Sequence, residues 1–390
     1  MSPTLDRLAA ATDTFDPPLA ALDLTTLRAN AADLVRRADG TPVRIASKSV
    51  RCRAVLEIAL GEGLTEANGF HGIMAYSLRE AIWLVRSGAR DVLMGYPTTD
   101  RAALAELAGD RSLRDRITLM IDSPTHLDVI RAAADAPGVR VCIDVDSSLR
   151  VGPIHIGVRR SPLRDPAEVA ALAKKASAEN FVVAGVMFYE AQIAGLPDTH
   201  RPVEWMKRAS AKELSTRRGT VVNAVQEVVG ELEIVNSGGT GSLEVSSADP
   251  TVTEVTAGSG LYTPTLFDRY RSFAPSPALF FALPAVRKPT PEIATLFGGG
   301  YIASGPVGKS RVPSPTWPRG LKVTRNEGAG EVQTPVTGRP AVDLAIGDRV
   351  WFRHAKAGEL CERFNIVHLV DSDGTHSTVP TYRGEGLNFG

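Results

Sequence analysis

Cysteine is scarce in this chain of 390 residues: Cys52, Cys142 and Cys361 are its only three. An odd number of thiols spread over so long a chain is no disulfide framework, which excludes the small cross-linked secreted class. Long hydrophobic runs are missing as well, since no stretch approaches the roughly 18 apolar residues of a membrane-spanning helix. The start, "MSPTLDRLAAATDTFDPPLA", lacks a basic segment followed by an apolar one, so no secretory signal is expected and the cytoplasm is the expected compartment. Charge of one sign is absent: 44 basic and 44 acidic side chains cancel, the pI is near 7.1, and the charges are scattered rather than blocked. Such a surface is not built to hold nucleic acid, and a small molecule is the expected partner. No internal repeat and no low-complexity segment occurs.

Apolar runs of strand length are plentiful. They stand at "PVRIAS", "GFHGIMA", "DVLMGY", "ITLMID", "RVCIDVD", "FVVAGVMF", "LEIVNSG" and "VTEVTAG", eight in all. Segments of helical spacing separate them, among them "RAVLEIALGEGL", "LREAIWLVRSG", "THLDVIRAAADA" and "PAEVAALAKKASA", several closed by glycine. Near-continuous apolar strands alternating with helices predict parallel strands buried on both faces. Eight units between about residues 42 and 260 fit a closed (β/α)8 barrel, for which about 250 residues is typical; an open doubly wound sheet is the alternative. After about Pro275 helical spacing gives way to prolines, glycines and short β-type runs such as "DRVWFRH" and "NIVHLV". The expected organisation is therefore a barrel with an N-terminal extension over residues 1–274 and a smaller all-β domain over 275–390. "LDLTTLRANAADLVRRADG" is expected as a helix against the bottom or side of the barrel.

In a barrel of this kind function sits at the C-terminal ends of the strands. The first strand ends at Lys48, the fifth leads into "DVDSSLR" with Arg150, the sixth into "MFYEAQ" with Tyr189, the seventh into "NSGGTGS" and the eighth into "AGSGLY". Glycine-serine loops after the last two strands suit a phosphate, because glycine lets successive backbone N–H groups converge on an anion. The plain reading of one such loop is a turn; a pair at these two positions favours the anion. Lysine is rare, nine in all, and the other four in the barrel (Lys174, Lys175, Lys207, Lys212) fall in helical segments. Lys48 alone is presented by a strand end. A lysine amine facing a phosphate cradle points to pyridoxal 5′-phosphate, whose aldehyde condenses with an amine and whose ring is an electron sink. An enzyme of sugar phosphates is the alternative that keeps the cradle and drops the cofactor.

The chain resembles the D-threonine aldolase and D-serine dehydratase family, metal-associated pyridoxal phosphate enzymes with an alanine-racemase-like barrel. The likeness runs from about residue 25 to 380 and is strongest in "IASKS", "IDVDSSLRVG", "GVMFYEAQ", "NSGGTGS" and "AGSGLYTPTLFD". It implies that Lys48 holds the cofactor, Arg150 sits near its phenolic oxygen and Tyr189 lies beside its ring. Ser237, Gly239, Thr240, Gly258 and Ser259 would surround the phosphate, with Tyr262 lining the same mouth. It implies a homodimer, and a divalent metal (zinc, manganese or magnesium) on a close His-x-Cys or His-x-Asp pair in the β domain. Here the matching stretch is "WFRHAKAGELCERFN", in which His354 and Cys361 are drawn apart. A histidine after the tyrosine, usual in the aldolases, is also missing from "YEAQIAG". The implied activity is a lyase for D-configured β-hydroxy amino acids. Retro-aldol cleavage to glycine and an aldehyde is placed first, dehydration second and racemisation third; a carrier of the cofactor without turnover is the non-enzymatic alternative.

Overall fold

The computed structural model describes residues 2–67, 69–133 and 137–390. Eight parallel strands close into a barrel: Val43–Ala46, Phe70–Ala75, Val92–Met94, Ile117–Ile121, Arg140–Asp144, Val182–Phe188, Ile234–Ser237 and Glu254–Ala257. Each lies in one of the apolar runs named above. The last strand pairs with the first in parallel, Val255 with Val43 and Ala257 with Ile45, so the sheet has no free edge. Helices follow the strands and are started by side-chain caps: Ser77, Asp100 and Asp165 each accept a backbone N–H of the following first turn.

The lumen floor is polar. Arg44, on the first strand, is wholly buried and forms ion pairs with Glu254 of the last strand and with Asp91, each at 2.7 Å. Burial works against the charged guanidinium, but these two carboxylates outweigh it and hold Arg44 ionised. Asn236 donates to Glu254 Oε1 and to Thr256 Oγ1, each at 2.7 Å, which extends the network upward.

The second part is a nine-stranded sheet built mainly from residues after Leu279. It also takes in strand Leu19–Asp23, antiparallel to Leu279–Thr290 and parallel to Ile366–Val370. The N-terminal helix Pro3–Ala11 packs Leu5 and Leu8 into the same layer, with Leu19, Phe280 and Trp351. The extension assigned to the barrel from sequence thus differs in place. Its five strand residues are all buried, and only this sheet offers them two hydrogen-bonding neighbours. Asp23 then caps helix Leu24–Arg37, accepting from Thr26 N at 2.8 Å. That helix backs the short helix Ser259–Tyr262, where Asn30 donates to Leu261 O at 3.1 Å.

Replacing Arg44 with methionine leaves Glu254 as a buried charge without a counterion, while Asp91 keeps its contact with His71. Chemical denaturation should show a loss of about 3–5 kcal/mol in unfolding free energy.

Candidate active site

Strand Val43–Ala46 ends in a single 3-10 turn, Ser47–Ser49, which turns Lys48 into the barrel mouth. Ser47 donates to Met74 O at 3.0 Å and anchors the turn to the neighbouring strand. From above, Gly358 of the β domain packs on the Lys48 carbonyl so closely that a Cβ there would sit 1.9 Å from the oxygen. The Lys48 amine donates to Tyr96 Oη at 2.5 Å. Burial raises the Tyr96 phenol, but the adjacent ammonium of Lys48, with Arg160 and Lys356 beyond it, outweighs burial and leaves it below its ordinary value.

Across the mouth lie the two glycine loops. The loop after Ile234–Ser237 is held from beneath by the buried carboxylate of Glu190. It accepts from Ser237 Oγ at 2.9 Å, Gly238 N at 3.2 Å, and Ser242 Oγ and Ser246 Oγ at 2.7 Å each. Arg37 Nη2 donates to Thr240 O at 2.7 Å from outside. The two loops are joined where Thr240 Oγ1 accepts from Gly260 N and Ser259 Oγ, both at 3.1 Å. Among the described residues none accepts a hydrogen bond from the N–H of Thr240 or of Gly241, so two backbone donors stay free at this wall. Gly258 and Gly241 allow the approach of their neighbours: a Cβ would meet Ala46 O at 2.6 Å in the first case and Ala194 O at 2.3 Å in the second.

Lys48 and these loops enclose one cavity of about 410 Å³. Of the residues expected from sequence, Lys48, Tyr189, Gly239, Thr240, Gly258 and Ser259 line it. Ser237 lies beneath, where it accepts from Arg218 Nη2 at 2.8 Å, and Tyr262 is buried with its hydroxyl donating to Val50 O at 3.0 Å. Arg150 is not brought to the cavity. It sits on a hairpin formed by Leu149–Val151 and Ile154–Ile156, exposed, and paired with Asp146 at 2.7 Å. The hairpin carries the chain out and back, and the guanidinium it returns is that of Arg160, 4.9 Å from the Tyr189 ring centre and 5.4 Å from that of Tyr96. A strand-end count could not reveal such an excursion. Tyr96 was findable by that count, because it closes the third run, "DVLMGY".

The residues fit pyridoxal phosphate. Lys48 offers an amine, the Thr240 and Gly241 amides offer free donors to an anion, and Tyr189 and Arg160 offer a ring and a cation between them. His354 and Cys361 do not fit a catalytic metal. Both are buried and neither lines the cavity. Burial, opposed by a bond to the Leu279 backbone, lowers the His354 pKa to about 3, so it is a neutral imidazole. Cys361 Sγ is turned towards Tyr262 Oη, 3.9 Å away, rather than towards the cavity. Among the described residues, only Glu66, His71 and Asp91 bring three possible ligand atoms together, below the barrel. There both nitrogens of His71 are already taken by the two carboxylates, and Arg44 sits against Asp91.

A lysine at the end of the first strand, facing a phosphate-type cradle after the last two, within a closed barrel that carries a β domain, defines the alanine-racemase-like fold. The solved structures agree. The chain superposes on D-threonine aldolase from Filomicrobium marinum with a TM-score of 0.77 at 19% identity, covering 95% of each chain. For D-threo-3-hydroxyaspartate dehydratase from Delftia sp. HT23 the TM-score is 0.75 at 19% identity, over 94% of this chain and 98% of that one. For an alanine racemase-like protein from Idiomarina loihiensis it is 0.71 at 17% identity, over 96% and 98%. The likeness read in the sequence is thus present in three dimensions, and at these identities it shows the fold. No family model and no curated protein matches the sequence.

Two measurements test this geometry. Arg160→Met should weaken pyridoxal phosphate uptake, followed by visible absorbance, by about tenfold or more, whereas Arg150→Ala should leave it unchanged. Asp144, at the end of the fifth strand, is raised to about 7 by burial, with Arg160 opposing. Its unfolded value is about 3.9, so the folded state holds the extra proton between these two values. Its contribution to stability is therefore full below about pH 4 and is lost as pH rises towards 7, and Asp144→Asn should flatten that part of the stability curve.

Proposed function

We propose that this protein is a pyridoxal phosphate-dependent lyase acting on D-configured β-hydroxy amino acids, and that dehydration is its main reaction. The observation that carries the reading is the Lys48 amine facing the free amides of the glycine loops across a single cavity. That structures named as an aldolase and a dehydratase share the whole architecture supports it. When bound, the cofactor would supply an electron sink for negative charge at Cα. Lys48 would hold it and, once displaced by the substrate amine, is the base for the Cα proton; Tyr96, hydrogen-bonded to Nζ, orients that amine. The Thr240 and Gly241 amides would bind the phosphate and Arg160 the phenolic oxygen, with Tyr189 beside the ring. Met74, Leu266 and Phe267 line the cavity and limit water.

Resemblance alone puts retro-aldol cleavage first. That reaction needs a base on the β-hydroxyl; among the described residues the cavity lining holds neither carboxylate nor imidazole, and the Tyr96 phenol is engaged by the Lys48 amine. Glu190 is turned under the loop, and Gln192 is buried against Ser147 O and Ser210 Oγ, each at 2.7 Å. Dehydration needs only a base at Cα and positive charge near the leaving oxygen, which this lining has. Retro-aldol cleavage stays as the second reading on the strength of the aldolase fold. The protein would work as a homodimer, and its three buried, unpaired cysteines suit the cytoplasm.

Wild-type protein reconstituted with pyridoxal phosphate should lose its visible absorbance on borohydride treatment and carry the label on Lys48. Lys48→Ala should keep its circular dichroism and lose both label and turnover. With D-serine or D-threonine, a 2-oxo acid plus ammonia identifies dehydration, and glycine plus an aldehyde identifies retro-aldol cleavage. An unlabelled wild type would end the cofactor reading.

A further inference from the structure

Among the described residues, the charged side chains that line the cavity are Lys48, Arg160, Arg311 and Lys356, all cationic, with no acidic residue beside them. Among the described residues none of the four has a carboxylate within salt-bridge distance. Four cations around one cavity, none of them in an ion pair, repel one another unless anions lie between them. Lys48 and Arg160 are accounted for by the proposed cofactor. Arg311 and Lys356 are not, and both come from the β domain, on the outer wall.

Lys356 follows strand Arg349–Arg353 and reaches the cavity from the same loop that packs Gly358 on the Lys48 carbonyl. Its ammonium donates to Ser304 Oγ at 3.1 Å. The charged and phenolic groups around it are Glu359, Lys48, Arg311 and Tyr96. Glu359 does not line the cavity, and its carboxylate accepts from Ser304 N at 2.9 and 3.1 Å. Arg311 keeps a buried Nε without a partner. The stretch that was expected to hold a metal, "HAKAGELC", instead turns His354 and Cys361 inward and presents Lys356 to the cavity.

We infer that Lys356, seconded by Arg311, is the cation that meets the β-oxygen of the substrate, so that turnover needs no divalent metal. The inference rests on the lyase reading and on its dehydration outcome. In that step the Cα–H proton passes to the Lys48 amine and its electron pair forms the Cα–Cβ double bond. The Cβ–O bond breaks with its pair on oxygen, which leaves as hydroxide against the ammonium and takes a proton from solvent to become water. The 2-amino-2-enoate that remains takes up water and releases ammonia to give the 2-oxo acid. A fixed positive charge at the departing oxygen is the contribution a Lewis-acidic ion would otherwise make.

The experiment uses the protein loaded with pyridoxal phosphate. Wild type freed of metal by chelation, with elemental analysis as the check, should dehydrate D-serine at the untreated rate. Lys356→Met should lower that kcat by about 10²–10³ while keeping pyridoxal phosphate absorbance, borohydride labelling of Lys48 and α-proton exchange of D-alanine in heavy water. D-alanine has no β-oxygen, so the exchange isolates the Lys48 step. Lys356→Arg should recover much of the loss, and Arg311→Gln should show a smaller version of it. Equal loss of exchange and dehydration in Lys356→Met, an unimpaired Lys356→Met, or chelated wild type revived only by added divalent metal would each overturn the inference while the cofactor reading stands. A wild type that takes no borohydride label removes the lyase reading itself.

Discussion

Everything in the site depends on closure of the barrel between its first and last strands. Ala257 pairs with Ile45, so Lys48 and Gly258, far apart in the chain, leave adjacent strands at the same end. Strand pairing alone joins few residues there, and the ion pair of Arg44 with Glu254 adds a buried tie across the same seam. Charges so deep in a barrel are tolerated only when satisfied, and Asp91 and Asn236 complete the set. The network also bears the floor of the cavity, since Asn236 and Thr256 stand on it and line the space above.

The mouth above this floor is shared between two layers. The barrel brings the amine, the free amides and the two tyrosines, while the β domain brings Gly358 against the Lys48 backbone and the cations Arg311 and Lys356. Acidic residues are kept out of the lining although they are close by. Glu190 is consumed in holding the loop that faces Lys48, and Glu359 in holding the segment beside Lys356. The carboxylates therefore shape the cavity without neutralising it, and the field inside stays positive. That field suits anionic groups, among them the phosphate of the proposed cofactor, the carboxylate of an amino acid and an oxygen that leaves with negative charge.

Local signals carried most of what the sequence reading got right. A strand buried on both faces must be apolar throughout, so the eight runs were visible, and glycine is required where backbone approaches backbone, so the loops at 238–241 and 258 were visible too. Arg150 was read in the wrong place because counting from a strand end takes no account of the local hairpin of Leu149–Val151 with Ile154–Ile156, which pairs Arg150 with Asp146 four residues before it. Lys356 stood in the quoted metal stretch and went unread, since nothing in a short β-type run tells which side chain turns inward and which faces a cavity on another domain.

By itself the sequence determined the alternating order of elements, the lysine at the first strand end and the two glycine loops, because each follows from the chemistry of a few neighbouring residues. Only the tertiary structure decided that Leu19–Asp23 joins the second sheet, that Arg160 replaces Arg150 at the mouth, and that His354 and Cys361 face the core while Lys356 faces the cavity. The physical reason is common to all three. Which way a side chain points, and which edge a strand completes, is settled by partners that arrive from distant parts of the chain.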